Sequence, residues 1–159
     1  MALDRVLVIP AANPPHKTYA AAPYEHRYRM VELACQGEEG FEPSRLEEGE
    51  GRSYSMRTVE KIRNYWPADV LFFLIGSDAF AEIRTWHRWE ELLAAVEFIV
   101  FERPSSSFVI PPGARVHTLR SVQMDVSSSS IRSALARGEA PVDLSPRIVQ
   151  YIFQNGLYR

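Results

Sequence analysis

The stretch "DVLFFLIGSD" at residues 69–78 decides the fold, because it joins an unbroken apolar run to a polar turn. Residues 70–75 are six apolar residues in a row, which is typical of a strand covered on both faces of a parallel sheet. Gly76 follows at the carboxyl end, the place where ligands bind in open α/β sheets. The stretch therefore predicts an interior strand that leads directly into a candidate site.

Strand and helix patterns alternate on both sides of this run. Apolar runs predict further strands over 5–9, 41–46, 96–101 and, more weakly, 116–119. Helical spacing and end signals predict helices over 24–36, 55–66, 79–83, 89–95, 127–139 and 145–153. The alternation predicts an α/β sandwich with a mostly parallel sheet.

The composition indicates one ordinary globular domain. The chain has 159 residues, of which 46% are hydrophobic and 24% are charged, and its net charge is -2. This balance argues against DNA or RNA as the main partner. No apolar stretch approaches the roughly 20 residues that a membrane span needs, and the amino-terminal residues do not resemble a secretory signal. We expect a cytoplasmic protein, and the sequence leaves the oligomeric state open.

The segment "VSSSSIR" at 126–132 predicts an anion site at the start of a helix. Ser128 and Ser129 would present hydroxyls and backbone N–H groups where the helix dipole favours negative charge. Arg132, one turn further on, has a planar fork that matches phosphate oxygens. The alternative is a well-capped surface helix with an exposed arginine.

The turn after the 70–75 run contains Gly76 and Asp78. A glycine at a strand end lets a ligand approach the backbone closely, and the carboxylate of Asp78 could bond a ribose or a metal-bound water. The alternative is a turn glycine followed by an aspartate that caps the next helix.

The segment "TWHRW" at 85–89 places two indoles and an imidazole within five residues. Trp86 could stack on a flat heteroaromatic ring, or it could be a core tryptophan at a helix start. His87 is interpreted as a solvated helix residue.

The loop "NPPHK" at 13–17 follows the first predicted strand. Its prolines fix the backbone and would hold His16 and Lys17 near a strand end, ready for an anionic group. The alternative is a proline-rich connection with incidental polar residues. We expect this loop and the helix at Ser127 to converge on one cleft.

In this order the motifs resemble those of one family, the bacterial nicotinate-nucleotide adenylyltransferases. The resemblance extends over nearly the whole chain and is most specific where the proline loop combines with the serine motif. A pantetheine-phosphate adenylyltransferase would share the serine motif but not the proline loop. The resembling segments are "VIPAANPPHK" (8–17), "RSYSMRTVEKIR" (52–63), "FFLIGSDAFAEIRTWHRWEELL" (72–93), "FIVFERP" (98–104), "VSSSSIR" (126–132) and "YIFQNGLYR" (151–159).

The resemblance implies a Rossmann-like nucleotidyltransferase that moves AMP from ATP to nicotinate mononucleotide with Mg²⁺. The products would be deamido-NAD and pyrophosphate, without a covalent intermediate. It further implies a role for each matching position: His16, Lys17, Ser55 and Trp86 would face the nicotinate nucleotide, Gly76 and Asp78 the ribose or adenine, and Ser128, Ser129 and Arg132 the ATP phosphates.

One departure from the family affects the activity that we expect. The family opens with a glycine-rich strand and a GxFxPxHxGH motif, and none of the four histidines here lies in HxGH spacing. We expect the chain to lack one β-α unit, on the scale of about 30 residues, which would leave 5–9 and 70–75 without their shared strand neighbour. A fragment, a late start or a decayed copy would explain this. We assign no catalytic residue and expect little adenylyl transfer, with a non-catalytic nucleotide-binding protein or another small-molecule nucleotidyltransferase as alternatives.

Overall fold

The computed structural model describes residues 3–13, 22–49, 51–102, 107–120 and 127–159. The chain divides into two compact units. The first unit is Met1–Ser53 with Val126–Arg159, and the second is Tyr54–Asp125. The single domain that the chain length suggests stays a prediction.

Strands and helices alternate along the chain, as the sequence predicts. In chain order the described elements are β1 (Val6–Val8), α1 (Tyr24–Cys35), β2 (Phe41–Pro43), α2 (Ser55–Tyr65), β3 (Phe72–Gly76), α3 (Ser77–Ala81), a 3-10 turn (Ile83–Thr85), α4 (Trp89–Ala95), β4 (Glu97–Phe101), β5 (Arg115–Leu119), α5 (Ser128–Ala136) and α6 (Pro146–Gln154). All strand pairings among the described residues are parallel, which confirms the α/β class.

The first unit contains a two-stranded sheet, in which Val6 is paired with Phe41 and Val8 with Pro43. These strands are shorter than predicted. β2 ends at Pro43, which has no N–H to extend the ladder, and the chain then enters a turn. Among the described residues of this unit, Leu135, Ile148 and Ile152 form a small buried apolar cluster.

Two helices complete the packing in the first unit. Met30 and Leu33 of α1 pack against the small core that α5 and α6 supply. His26 of α1 and Tyr151 of α6 are joined by a hydrogen bond of 2.8 Å. Cys35, in the last turn of α1, is buried, and burial raises the pKa of its thiol.

The second unit contains a three-stranded sheet in the order β3-β4-β5. The central strand β4 is the most buried, with Phe98 and Val100 fully inaccessible to solvent. The apolar run at 70–75 taken alone predicts an interior strand, and that is wrong; the edge position of β3 in this sheet agrees instead with the expectation that this run lacks a strand neighbour. That run does form β3, but Val70 precedes the strand and is 68% exposed, and Leu74 is 39% exposed.

The helix bounds agree with the predicted ones to within about three residues. The predicted helix at 79–83 begins earlier, at Ser77, and ends at Ala81, and the 3-10 turn follows. The early start places Ser77 in the core with no exposed surface. In the ranges that the structure describes, no helix combines the length and apolarity that crossing a bilayer requires.

Candidate functional site

The carboxyl end of β3 leads directly into α3, and the predicted residues Gly76 and Asp78 lie at this junction. Gly76 occupies the N-cap position, with extended backbone at φ -74° and ψ 150°. Asp78 is therefore not the N-cap, so the capping part of that alternative is wrong. Its side chain is exposed at the strand end, where a bound nucleotide could meet it.

Trp86 lies in the turn between the 3-10 helix and α4. Its indole meets the ring of Phe73 edge-on, with centroids 6.0 Å apart and an interplanar angle of 75°. The residue is only partly buried, although it packs against the core of the second unit. The core contact is as one interpretation predicts, and part of the indole surface remains accessible; stacking of Trp86 on a heteroaromatic ring stays a prediction.

Ser55 is the first residue of α2, and Tyr54 occupies the N-cap position. The ring of Tyr54 packs on the imidazole of His87, with centroids 4.3 Å apart and an interplanar angle of 35°. His87 is exposed, as predicted, but it lies in the turn before α4 rather than in a helix. Tyr54 is not among the predicted site residues, and an aromatic residue just before a helix start was its available signal in the sequence.

Arg88 closes the same turn with a left-handed backbone, at φ 57° and ψ 40°. Its guanidinium contacts Glu91 at 2.6 Å and Glu60 at 2.7 Å. Hydrogen bonds from Arg88 hold the pKa of Glu91 below its usual range, and the two carboxylates raise the pKa of Arg88.

The serine motif forms the start of α5, as predicted. Ser127 is the N-cap, and its hydroxyl oxygen accepts a hydrogen bond of 3.2 Å from the backbone N–H of Ser129. Ser128 and Ser129 are exposed, whereas Arg132 is half-buried. The guanidinium of Arg132 donates to the Ser129 hydroxyl at 3.3 Å, so the structure places this cation over the first turn of the helix.

A tyrosine near the carboxyl terminus belongs to the same unit as this helix. Burial raises the pKa of Tyr158, and the positive charges of Arg132 and Arg27 oppose that shift.

The proline loop is described only at its two ends, and His16 and Lys17 lie outside the described residues. Asn13 and Ser53 form a reciprocal pair: the Asn13 N–H donates to the Ser53 hydroxyl at 3.0 Å, and the Ser53 N–H donates to the Asn13 carbonyl at 2.9 Å. The expected convergence of this loop with the helix at Ser127 stays a prediction.

Arg27, which the sequence analysis missed, binds backbone on both sides of the undescribed residues 14–21. Its guanidinium donates to the carbonyls of Ala12 and Ala22, each at 3.1 Å, and also to that of Ala11. These three bonds hold the described residues before and after the loop.

The first comparison with known proteins gives the class of the chain. Residues 1–134 match the model of the cytidylyltransferase-like family, a nucleotidyltransferase class.

Individual relatives with high sequence identity show to which family within this class the chain belongs. The chain is 52% identical over 159 residues to the "Probable nicotinate-nucleotide adenylyltransferase" of Solibacter usitatus, covering 99% of this chain and 85% of the relative. It is 36% identical to the protein of the same name from Exiguobacterium sibiricum, covering 96% of this chain and 81% of the relative. The chain belongs to the nicotinate-nucleotide adenylyltransferase family, an enzyme family, which confirms the resemblance drawn from the motifs.

A solved structure supports the fold independently. The Plasmodium falciparum nicotinic acid mononucleotide adenylyltransferase complexed with NaAD superimposes with a TM-score of 0.81 at 19% identity. The match covers 98% of this chain and 83% of that one. At this identity the likeness bears on the fold alone, and it confirms the Rossmann-like prediction.

Proposed function

We propose that this protein transfers the adenylyl group of ATP to nicotinate mononucleotide, giving deamido-NAD and pyrophosphate in NAD biosynthesis. The observation that carries the proposal is the 52% identity, over 99% of this chain, to a protein named as a nicotinate-nucleotide adenylyltransferase. We further propose that it acts in the cytoplasm, without a nucleic acid or membrane partner.

Ser128, Ser129 and Arg132 are proposed to bind the ATP phosphates. The exposed first turn of α5 supports this assignment, because a helix amino end attracts anions through its N–H groups and its dipole. Arg132 adds a cation that already lies against Ser129. Gly76 and Asp78 are proposed to meet the ribose or adenine at the end of β3, where the extended Gly76 backbone has no side chain in the way.

Trp86, Ser55, His16 and Lys17 are proposed to bind the nicotinate mononucleotide. The partly accessible indole of Trp86 would stack on the pyridine ring, while Phe73 supports its edge. Ser55 begins α2, where its hydroxyl can meet a polar group of the substrate. His16 and Lys17 would carry positive charge to the substrate phosphate.

The reaction needs no covalent intermediate with the protein. A phosphate oxygen of nicotinate mononucleotide forms a bond to the α-phosphorus of ATP, the bond from that phosphorus to the bridging oxygen breaks, and pyrophosphate leaves with the electron pair. The protein contributes by placing the two nucleotides in line and by neutralising charge on the equatorial oxygens. Arg132 and Lys17 are the proposed cations, and no residue is assigned a covalent or proton-transfer role.

Nucleotidyltransferases generally use a divalent metal, and we propose Mg²⁺ for this protein. Mg²⁺ is usually held by substrate phosphates and water with only one or two protein carboxylates, and the exposed Asp78 at the end of β3 fits that requirement. In the described ranges no three histidine, cysteine or acidic side chains gather into a metal-ligand set. When bound, the ion would neutralise phosphate charge.

The direct test combines the chain with ATP, nicotinate mononucleotide and MgCl₂ and measures pyrophosphate release and deamido-NAD by chromatography. Formation of both products in equal amounts supports the proposal. Binding of nicotinate mononucleotide without turnover would favour a non-catalytic nucleotide-binding protein. Faster reaction of nicotinamide mononucleotide or of a pantetheine phosphate would indicate a different nucleotidyltransferase.

Trp86→Ala tests the assignment of the pyridine-binding residue. Loss of stacking should weaken the binding of nicotinate mononucleotide by about 1–3 kcal/mol, the scale of base–aromatic stacking. Trp86→Phe should retain part of the affinity, and Trp66→Ala, at the end of α2, is the matched control. An unchanged affinity in Trp86→Ala, measured by calorimetry, would remove Trp86 from the site.

A further inference from the structure

We propose that Arg88 is a positioning residue that holds the turn carrying Trp86 against α2, and that it thereby sets the affinity for the mononucleotide substrate. The affinity part of this inference rests on the proposed function, whereas the positioning part does not. All the contacts that carry it lie within the second unit.

The backbone of Arg88 gives the first observation. Arg88 and Tyr158 are the two non-glycine residues with positive φ in the described part of the chain. A side chain in this left-handed conformation is disfavoured by contact between its Cβ and the backbone, so surrounding interactions must hold it. The conformation redirects the chain from Trp86 into α4, and the Arg88 carbonyl accepts from the N–H of Leu92 at 3.0 Å.

The side chain of Arg88 supplies those interactions. Its Nε and Nη2 donate to the two carboxylate oxygens of Glu91 at 2.7 Å and 2.6 Å, a bidentate pair within the start of α4. Nη2 also contacts an oxygen of Glu60 in α2 at 2.7 Å. The guanidinium therefore joins the turn to two helices, and a lysine could not reproduce this planar fork.

A second contact supports the same connection. His87, between Trp86 and Arg88, packs on Tyr54 at the N-cap of α2. Two successive residues after Trp86 thus each contact α2 or its cap. Because Ser55 begins α2, these contacts fix the elements that carry two of the proposed mononucleotide-binding residues, Ser55 and Trp86.

The positioning part can be tested without any nucleotide. The chain contains three tryptophans, so protein labelled with 5-fluorotryptophan should give three ¹⁹F resonances, assignable by single Trp→Phe variants. Glu60→Gln removes the ion pair with α2 and leaves the pair with Glu91. We expect the Trp86 resonance to move or broaden and the Trp66 resonance to stay. Glu90→Gln, in the same first turn of α4 as Glu91, is the matched control and should leave the Trp86 resonance unchanged.

The affinity part is tested by calorimetry with nicotinate mononucleotide and with ATP, each alone. Glu60→Gln should weaken binding of the mononucleotide about two- to five-fold, the range expected for a partly exposed ion pair. The affinity for ATP should be unchanged. Arg88→Gly keeps the left-handed backbone without the guanidinium, so it should show the same selective loss.

Either of two results would overturn the inference. The first is an unchanged Trp86 resonance in both Glu60→Gln and Arg88→Gly. The second is an equal loss of affinity for both nucleotides that follows a loss of unfolding stability, which would reduce Arg88 to a structural role. If the unaltered protein binds no nicotinate mononucleotide, the proposed function fails, and the ¹⁹F spectra still decide whether Arg88 positions Trp86.

Discussion

The sheets of the two units are stabilised in different ways. In the second unit, β4 lies between two strands and buries Phe98, Ile99 and Val100 almost completely. In the first unit, β1 and β2 are three residues long, and every residue of both strands is half-buried or exposed. The comparison indicates that apolar burial defines the second unit, and that the sheet region of the first unit needs another source of stability.

Hydrogen bonds and ion pairs of polar side chains, to backbone and to other side chains, provide that source in the first unit. Arg27 donates to three carbonyls, and Ser53 exchanges two hydrogen bonds with Asn13. Arg45 contacts the carboxylates of Glu25 and Glu48 and lies 3.8 Å from the centre of the Tyr28 ring. Each such hydrogen bond adds about 0.5–1.5 kcal/mol to stability, less than the burial of a core aromatic ring adds. The units should therefore respond differently to mutation.

The largest expected effect is the loss of a buried ring in the second unit. Phe98→Ala should lower the free energy of unfolding by about 3–5 kcal/mol, because it removes apolar burial and leaves a cavity beside Phe80 and Phe73. Urea unfolding followed by circular dichroism measures this. Leu74→Ala, at a position 39% exposed in the neighbouring strand, should cost much less. Equal costs for the two variants would contradict the comparison.

In the first unit, the matching experiment removes a polar contact. Arg27→Ala should cost about 1–3 kcal/mol, because three backbone carbonyls lose their donor in a partly buried place. Arg27→Lys should recover only part of this, since an ammonium group lacks the fork. Arg29→Ala, which loses an exposed pair with Glu32 one turn away, is the control and should cost about 0–1 kcal/mol in the same urea assay. A small loss in Arg27→Ala would show that the sheet region does not depend on this residue.

A smaller effect is expected at the start of α5, where Ser127 caps the helix and Ser128 is proposed to bind phosphate. Ser127→Ala removes the N-cap and should cost about 0.5–2 kcal/mol, seen as faster amide hydrogen exchange in α5. Ser127→Asp should preserve the cap. Ser128→Ala should leave the hydrogen exchange of α5 nearly unchanged and should weaken the binding of ATP. The proposed division between a capping serine and a phosphate-binding serine fails if Ser128→Ala frays the helix as much as Ser127→Ala does.

The smallest expected effect is the response to acid, which concerns ion pairs in both units. Arg45 lowers the pKa of Glu25, and Arg88 lowers the pKa of Glu91. A carboxyl whose pKa is lower in the folded state stabilises the fold above its ordinary value of 4.5, and this contribution is lost as pH falls through the lowered pKa. The urea midpoint should therefore decrease on acidification below that value. Arg88→Gly should reduce the Glu91 part of the decrease, and an identical pH profile in this variant would contradict the assignment.

The elements of the fold were predictable because their signals are local. Apolar runs gave the strands, and Ser127 and Pro146 marked helix starts that the structure confirms. The apolar runs alone do not predict the relative burial of β3 and β4, since only their order in the sheet determines which is central; the expected lack of a strand neighbour for 70–75 was the one signal that β3 is the more exposed.

The motifs of the candidate site were predictable from the sequence, whereas the contacts that hold these motifs in place were not. The serine helix and the Trp86 turn could be found from residue types close together in sequence. The link between Glu60 and Arg88, the Tyr54–His87 contact and the Arg27 bonds join residues 5 to 33 positions apart. The chemistry of these side chains does not specify a partner, so only the folded chain determines it.

The buried thiol of Cys35 allows the rate of local opening in the first unit to be measured directly. The chain has one cysteine, and its side chain lies in the interior at the end of α1 with a raised pKa. A maleimide or disulfide reagent attacks the thiolate and so requires both deprotonation and access. The rate of modification under native conditions will thus report how often the end of α1 opens, without reporting on the second unit.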